Sequence, residues 1–222
     1  MLQIDKIIRS KRRTFALEID NQGRLIVRAP ARATRAQIEA LVVQKSDWIQ
    51  AKQTEVLSQG PLPVNRQYLP GETFLFLGQT YTLEIVERQA EALLLDGKFM
   101  LARSAHMKAA EVFESWYRQQ ALDIISQRLA LFAGQTGLRY QQVRVKNLRT
   151  RWGSCSHRGN LNFNLRLVLA PLEIVDYVVV HELVHLKHKN HSRQYWEAVA
   201  AILPDFKNCR DWLKLNGHTL VI

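Results

Sequence analysis

The sequence has few cysteines and no long apolar run. Its two cysteines, Cys155 and Cys209, cannot build a framework of several disulfide bonds, and this favours a reducing compartment. Apolar runs such as YVVV are far shorter than the roughly 20 residues that a helix needs to cross a bilayer. The start, MLQIDKIIRSKRRTF, lacks the continuous apolar core of a signal peptide. We therefore expect a cytoplasmic protein with no membrane partner.

Acidic residues are scarce, and they are missing altogether from one long segment. The formal net charge is +11, and residues 139–166 carry seven Lys or Arg and no Asp or Glu. The segment RSKRR at 9–13 is a second basic cluster. Such a charge fits a nucleotide or nucleic-acid partner, and it fits a solvated basic surface equally well.

The first hundred residues read mainly as β-strands. Two alternating runs at 14–20 and 24–30 predict a hairpin, and Thr34 is placed to cap a helix over 36–52. The segment GPLP at 60–63 predicts a break in the chain. Further strands are predicted over 72–78, 80–88 and 92–102, the last with a tight Asp-Gly turn.

The second half reads mainly as helices. Long helices are predicted over 106–137 and 171–188, and two shorter ones at 192–203 and 206–216. Two alternating runs at 141–150 and 160–169 flank SHRGN and predict a hairpin or a pair of strands with a looser turn. Strands followed by helices indicate an α+β protein, which we divide into a β-rich subdomain at 1–104 and a second domain at 105–222.

The pattern His-Glu-x-x-His at 181–185 predicts a metal site. On a helix, residues four positions apart lie on the same face, so His181 and His185 can bind one ion together. Glu182 lies beside them and is placed to polarise a metal-bound water.

The third ligand is less evident from the sequence. His188 lies about 10 Å along a continuous helix from His181, too far for one ion. If the chain reverses at 187–190, His191 returns to the metal, with the spacing of metzincins but with His188 where their glycine stands. Glu197 remains a rival ligand from the next predicted helix.

Residues 149–196 carry a resemblance to a known family. The segment Trp152 to Cys155, the strand NLNFN, the helix VDYVVVHELVHL and the tripeptide NHS resemble the YgjP-like zinc metallopeptidases, relatives of SprT-like and other zincin proteases. The N-terminal half, with RLIVRAP and QKSDWI, is also similar.

The resemblance implies a zincin-like half, with a β-hairpin edge and an active-site helix, that binds Zn²⁺. Its ligands would be His181, His185 and His191, with Glu182 as general base, and an extended peptide or protein substrate would lie along 160–168 or 143–150. Candidate oxyanion stabilisers are Arg151, His157, Tyr177 and His218.

Two alternatives to a peptidase remain open from the sequence. One is a metal-dependent phosphohydrolase that releases pyrophosphate from nucleoside triphosphates, because Arg and Lys side chains clamp phosphates. The other is a nucleic-acid-associated protein that uses the basic clusters.

Overall fold

The computed structural model describes residues 3–20, 23–58, 66–148 and 150–222. The chain divides into two compact units, Met1–Val64 and Asn65–Ile222. Each unit has its own hydrophobic core. The predicted break at 60–63 lies outside the described residues.

The first unit begins with a three-stranded sheet. Strands β1 (Lys6–Ser10), β2 (Ala16–Ile19) and β3 (Leu25–Pro30) have the order β1-β3-β2. The predicted hairpin is present, since β2 and β3 pair antiparallel. Strand β1 pairs parallel with β3 and was not predicted from the sequence. It is an exposed strand in which only Ile8 is partly buried, so it shows no apolar alternation.

Two consecutive helices follow this sheet in the first unit. Helix α1 (Arg35–Gln44) begins at Thr34, whose side chain and that of Gln37 form the reciprocal hydrogen bonds of a capping box. The predicted single helix over 36–52 is interrupted at Lys45, after which α2 (Ser46–Ser58) begins. The core of this unit contains Leu25, Val27, Ala29, Ala33, Ile38, Val42 and Ile49.

The second unit opens with a four-stranded sheet. Strands β4 (Thr73–Phe76), β5 (Gln79–Val86), β6 (Leu93–Asp96) and β7 (Lys98–Ala102) have the order β4-β5-β7-β6. The Asp-Gly turn is present, with Gly97 at a φ of 65°. The long helix α3 (Ala109–Thr136) follows, and it ends at Gly137 in the left-handed conformation.

This sheet and α3 share one core, in which the ring of Phe113 stacks on Phe74 with centroids 4.3 Å apart. The boundary predicted between 104 and 105 therefore lies inside the second unit. That the functional domains divide at this boundary stays a prediction.

A second three-stranded sheet leads to the His-Glu-x-x-His helix. Strands β8 (Gln142–Lys146), β9 (Gly153–Cys155) and β10 (Asn160–Asn164) have the order β8-β10-β9. Of the two alternatives predicted for 141–150 and 160–169, the hairpin is wrong, because β8 and β10 are parallel, whereas the pairing of two strands is present. The hairpin partner of β10 is β9. With only three residues, Gly-Ser-Cys, β9 is too short to give an alternating pattern.

Helices complete the second unit. They are α4 (Leu172–Val184), α5 (Arg193–Ile202) and α6 (Phe206–Asn216), with short 3-10 helices at 103–108, 165–169 and 217–219. The α+β prediction is confirmed. Within the described ranges, no helix is long and apolar enough to cross a membrane.

Candidate metal centre

The helix α4 is buried on nearly all sides. Its sequence LEIVDYVVVHELV is almost entirely apolar, and Val178, Val179 and Val180 are all buried. The polar side chains His181 and Glu182 interrupt this apolar run near its end. Because the helix is fixed by its core contacts, these side chains have a rigid base.

The helix ends earlier than the sequence predicts, at Val184 rather than near residue 188. The chain then turns, with the His188 amide donating to the Val184 carbonyl at 3.0 Å. Helix α5 begins after Ser192, whose hydroxyl accepts a hydrogen bond from the Tyr195 amide at 3.4 Å. The predicted chain reversal is thus confirmed, and it returns His191 towards α4.

The reversal brings three imidazoles together. The Nε2 atom of His191 lies 3.2 Å from Nε2 of His185 and 3.2 Å from Nε2 of His181. Tetrahedral zinc ligands at 2.0–2.1 Å from one ion would be separated by about 3.3 Å. Converging nitrogen lone pairs repel one another unless a cation or proton lies between them. The donor type and the separations therefore fit a single metal ion.

Backbone carbonyls and two aromatic side chains hold this histidine cluster in place. The Nδ1 atom of His185 lies 2.9 Å from the His188 carbonyl oxygen, which accepts a hydrogen bond when Nδ1 carries the proton and so leaves Nε2 free to bind metal. The Tyr195 hydroxyl donates to the carbonyl of His181 at 3.0 Å. The indole of Trp196 stacks on His191 with centroids 5.5 Å apart. His188 thus contributes through its backbone.

Burial favours the neutral form of His181 and His185. It lowers the pKa of His181 to about 3, with the neighbouring imidazoles of His185 and His191 adding to the effect. Burial also lowers the pKa of His185. A neutral imidazole is the form that binds a metal, so the site does not need to lose protons from these two residues at neutral pH.

The Glu182 carboxylate lies against β9. A Cβ atom added to Gly153 would meet the Glu182 Cγ and Oε1 atoms at 2.6 Å each. Burial raises the pKa of Glu182 to about 8, and the positive charge of Arg151 opposes this increase. A glycine is therefore needed at position 153 for the carboxylate to keep this place.

A cavity of about 350 Å³ lies beside the histidine cluster. Its lining combines β9, the end of α4 and the turn that follows. The lining residues are Gly153, Ser154, Cys155, His157, His181, Glu182, His185, Lys189 and His191.

The candidate oxyanion stabilisers and the rival ligand Glu197 lie in different places relative to this cavity. His157 lines it, whereas Arg151, Tyr177 and His218 are not among its lining residues. Tyr177 instead packs edge-on against His181 with centroids 5.9 Å apart. The rival ligand Glu197 lies outside the cluster, and its Oε1 accepts a hydrogen bond from Arg193 at 2.6 Å.

The predicted place of the substrate needs correction. Residues 160–164 form the central strand β10, so both of its edges are already paired. Strand β8, within 143–150, is an edge strand but does not line the cavity. The edge strand that does so is β9.

Sequence reasoning missed residues that support the site. The roles of Gly153, Tyr195 and Trp196 depend on packing between distant segments, and no spacing in the sequence reveals them. Asn164 is another, because its buried amide donates to the carbonyls of Leu148 at 2.7 Å and Arg151 at 3.0 Å. It holds the loop that leads into β9.

One of three comparisons with known proteins shows the family of this chain. Comparison with curated proteins gave no match. A solved structure that is similar in part is the metallopeptidase zymogen abylysin of Pyrococcus abyssi, at 24% identity and a TM-score of 0.37, over 41% of this chain and 94% of that one. Residues 13–216 match the family described as YgjP-like, metallopeptidase domain. The chain belongs to this family of metallopeptidase domains.

Proposed function

We propose that this protein is a zinc-dependent peptidase whose ligands are His181, His185 and His191. The observation that carries the proposal is the convergence of three imidazoles beside a buried glutamate, with Nε2 of His191 3.2 Å from Nε2 of both His181 and His185. Three protein ligands leave a fourth position open for water and substrate, as catalytic zinc sites require.

The chemistry divides between the ion and Glu182. When bound, zinc lowers the pKa of a water towards neutrality and polarises a carbonyl oxygen. Glu182 takes the proton at its carboxylate and passes it to the leaving amine. Burial raises the pKa of Glu182 to about 8 in the metal-free site, and a bound cation would favour the ionised carboxylate that accepts a proton. His157 lines the cavity wall, and in this proposal it would stabilise the developing oxyanion.

The substrate would bind as an extended peptide along β9. This strand is at the edge of its sheet, so its outer backbone groups can pair with another strand. Since Gly153, Ser154 and Cys155 also line the cavity, a peptide paired with them would pass the histidine cluster.

Peptide cleavage by the full chain tests the proposal. Wild-type protein and Glu182→Gln, each loaded with zinc, are incubated with a library of quenched-fluorescence peptides, and metal content is measured by elemental mass spectrometry. We expect about one zinc per chain in both, and a loss of cleavage of at least about 100-fold in Glu182→Gln. Undiminished cleavage by Glu182→Gln would contradict the proposed role of this residue.

A phosphohydrolase is the second candidate for the same site. The observation in its favour is that Lys189 lines the cavity while the positive charge of Arg151 acts on Glu182. Cations beside a metal can bind the phosphates of a nucleotide. Release of pyrophosphate from nucleoside triphosphates, lost in Glu182→Gln, with no peptide cleaved, would favour this candidate over the peptidase.

A further inference from the structure

One surface of the second unit carries a group of basic side chains that form no ion pair with Asp or Glu among the described residues. Residues 124–172 contain no Asp or Glu. In other parts of the unit, many cations pair with carboxylates, as Lys98 does with Glu84 and Arg103 with Glu87. Five exposed cations within 139–158 form no such ion pair among the described residues, although the charge of Arg151 acts on the buried Glu182. They are Arg139, Arg144, Lys146, Arg151 and Arg158.

Strand alternation places the central cations on one face of a sheet. Along β8, Gln142, Arg144 and Lys146 are exposed, while Val143 and Val145 pack against the core. In the neighbouring strand β10 the corresponding inward residues, Leu161 and Phe163, are fully buried. We call the outward residues Gln142, Arg144, Lys146, Asn160, Asn162 and Ser154 the basic face.

The register continues this face across all three strands. Arg144 is paired in register with Asn162, and Asn162 with Ser154. The Asn162 amide donates to the Ser154 hydroxyl at 3.3 Å. The face therefore carries cations at one edge and hydrogen-bonding side chains towards β9.

The ends of the sheet carry the remaining cations. The Gln141 amide donates to the Gly159 carbonyl at 2.9 Å, which brings the segments that carry Arg139 and Arg158 to the same end. Arg151 lies in the loop after β8, which Asn164 holds through the carbonyls of Leu148 and Arg151. Unpaired positive charge thus extends along the length of the sheet.

We propose that the basic face binds the phosphodiester backbone of a nucleic acid, without sequence preference. Arg and Lys neutralise phosphates, and Asn, Gln and Ser side chains donate hydrogen bonds to phosphate and sugar oxygens. The face has no apolar or aromatic side chain of the kind that centres a protein interface or stacks on bases. The inference is independent of the proposed peptidase activity.

The basic cluster at 9–13 is a weaker candidate for this partner. The guanidinium of Arg9 donates to the carbonyls of Ala31 and Ala33 in its own unit. That side chain therefore already serves the fold of the first unit.

Salt-dependent binding of DNA tests the proposal. Fluorescence anisotropy of a labelled 30-nucleotide oligo-dT is measured at increasing NaCl with the full chain and with the double variant Arg144→Gln/Lys146→Gln. The matched control is Lys98→Gln/Arg103→Gln, which removes the same charge from exposed, paired cations of the same unit. Thermal unfolding verifies that each variant is folded. If the double variant is not folded, the single variants Arg144→Gln and Lys146→Gln are measured in its place.

We expect the double variant to bind on the order of tenfold more weakly at low salt, with a salt slope shallower by about 1.4, because each phosphate contact on a single strand contributes about 0.7. The control should retain wild-type binding. The proposal is overturned if the wild type does not bind, if both variants lose affinity equally, or if polyglutamate of equal charge displaces the DNA as well as unlabelled oligo-dT does. If the wild type does not bind DNA, the remaining role of Arg144 and Lys146 would be to keep the edge strand β8 from pairing with another chain.

Discussion

Gly153 and Glu182 lie in direct contact, with no room for a side chain between strand β9 and helix α4. A Cβ atom at position 153 would be 2.6 Å from the Glu182 Oε1 and Cγ atoms, a distance that real contacts do not reach. The glycine of the Trp-Gly-Ser-Cys segment thus determines where the proposed general base can lie.

We therefore expect Gly153→Ala to lose activity while it keeps its metal. The added methyl must displace the Glu182 side chain, whereas the three histidines lie outside this contact. Cleavage should fall at least about tenfold, because small displacements of a catalytic group are costly. Zinc content by elemental analysis should stay near one per chain.

The matched control for this variant is Gly134→Ala, in helix α3. An added Cβ there meets no atom within 4 Å. Since alanine favours helix more than glycine, this variant should be fully active and about 0.5–1 kcal/mol more stable. Wild-type activity in Gly153→Ala would show that Glu182 does not need its present position.

Metal retention in single variants tests the three proposed ligands. His191→Ala should lose zinc, because Nε2 of His191 lies 3.2 Å from Nε2 of both His181 and His185. His188→Ala should keep zinc, since only its carbonyl contacts His185. Glu197→Gln should also keep it, because that carboxylate pairs with Arg193. Elemental analysis after dialysis against a weak chelator distinguishes them, and equal retention in His191→Ala and His188→Ala would exclude the His191 assignment.

The stability of the metal-free protein should depend on the protonation of Glu182. The folded state holds this proton up to a pKa of about 8, whereas the unfolded chain releases it near 4.5. Its contribution to the free energy of unfolding is complete below pH 4.5 and is lost as the pH rises through 8.

Glu182→Gln removes this titration and leaves the histidines in place. In the presence of a chelator, the wild-type unfolding temperature should fall relative to that of Glu182→Gln between pH 5 and about 9. Saturating zinc should weaken the difference, because a nearby cation favours the carboxylate. Parallel pH profiles of the two metal-free proteins would show that the carboxyl is ionised throughout this range.

Asn164 should be needed for the loop that leads into β9. Asn164→Ala removes three hydrogen bonds: the two that its amide donates to the carbonyls of Leu148 and Arg151, and the one that its Oδ1 accepts from the Arg166 amide at 3.2 Å. We therefore expect a loss of about 2 kcal/mol in the free energy of unfolding. The control Asn162→Ala removes one longer bond, 3.3 Å, from a half-buried side chain and should cost less than about 1 kcal/mol. Denaturant unfolding measures both, and equal losses would contradict a specific role of Asn164.

Much of the secondary structure follows from local patterns. The capping residue Thr34, the Asp-Gly turn and the end of α3 near residue 137 were evident from the sequence, because each depends on the conformation of a few adjacent residues. The strands β1 and β9 were not, since β1 is mostly exposed and β9 is three residues long. The parallel pairing of β8 with β10 also needed the tertiary structure, because β9 takes the hairpin position.

For the proposed metal centre, the sequence by itself determined the residue types and the family. The period of a helix puts His181 and His185 on one face, and a reversal of the chain at 187–190 was expected to bring in His191. Only the tertiary structure decided that His191 joins the cluster while Glu197 pairs with Arg193. It also decided that Gly153 limits the position of Glu182 and that β9 is the edge strand at the cavity. These contacts join segments about 30 residues or more apart, or depend on which way the chain turns after α4, and local periodicity contains neither kind of information.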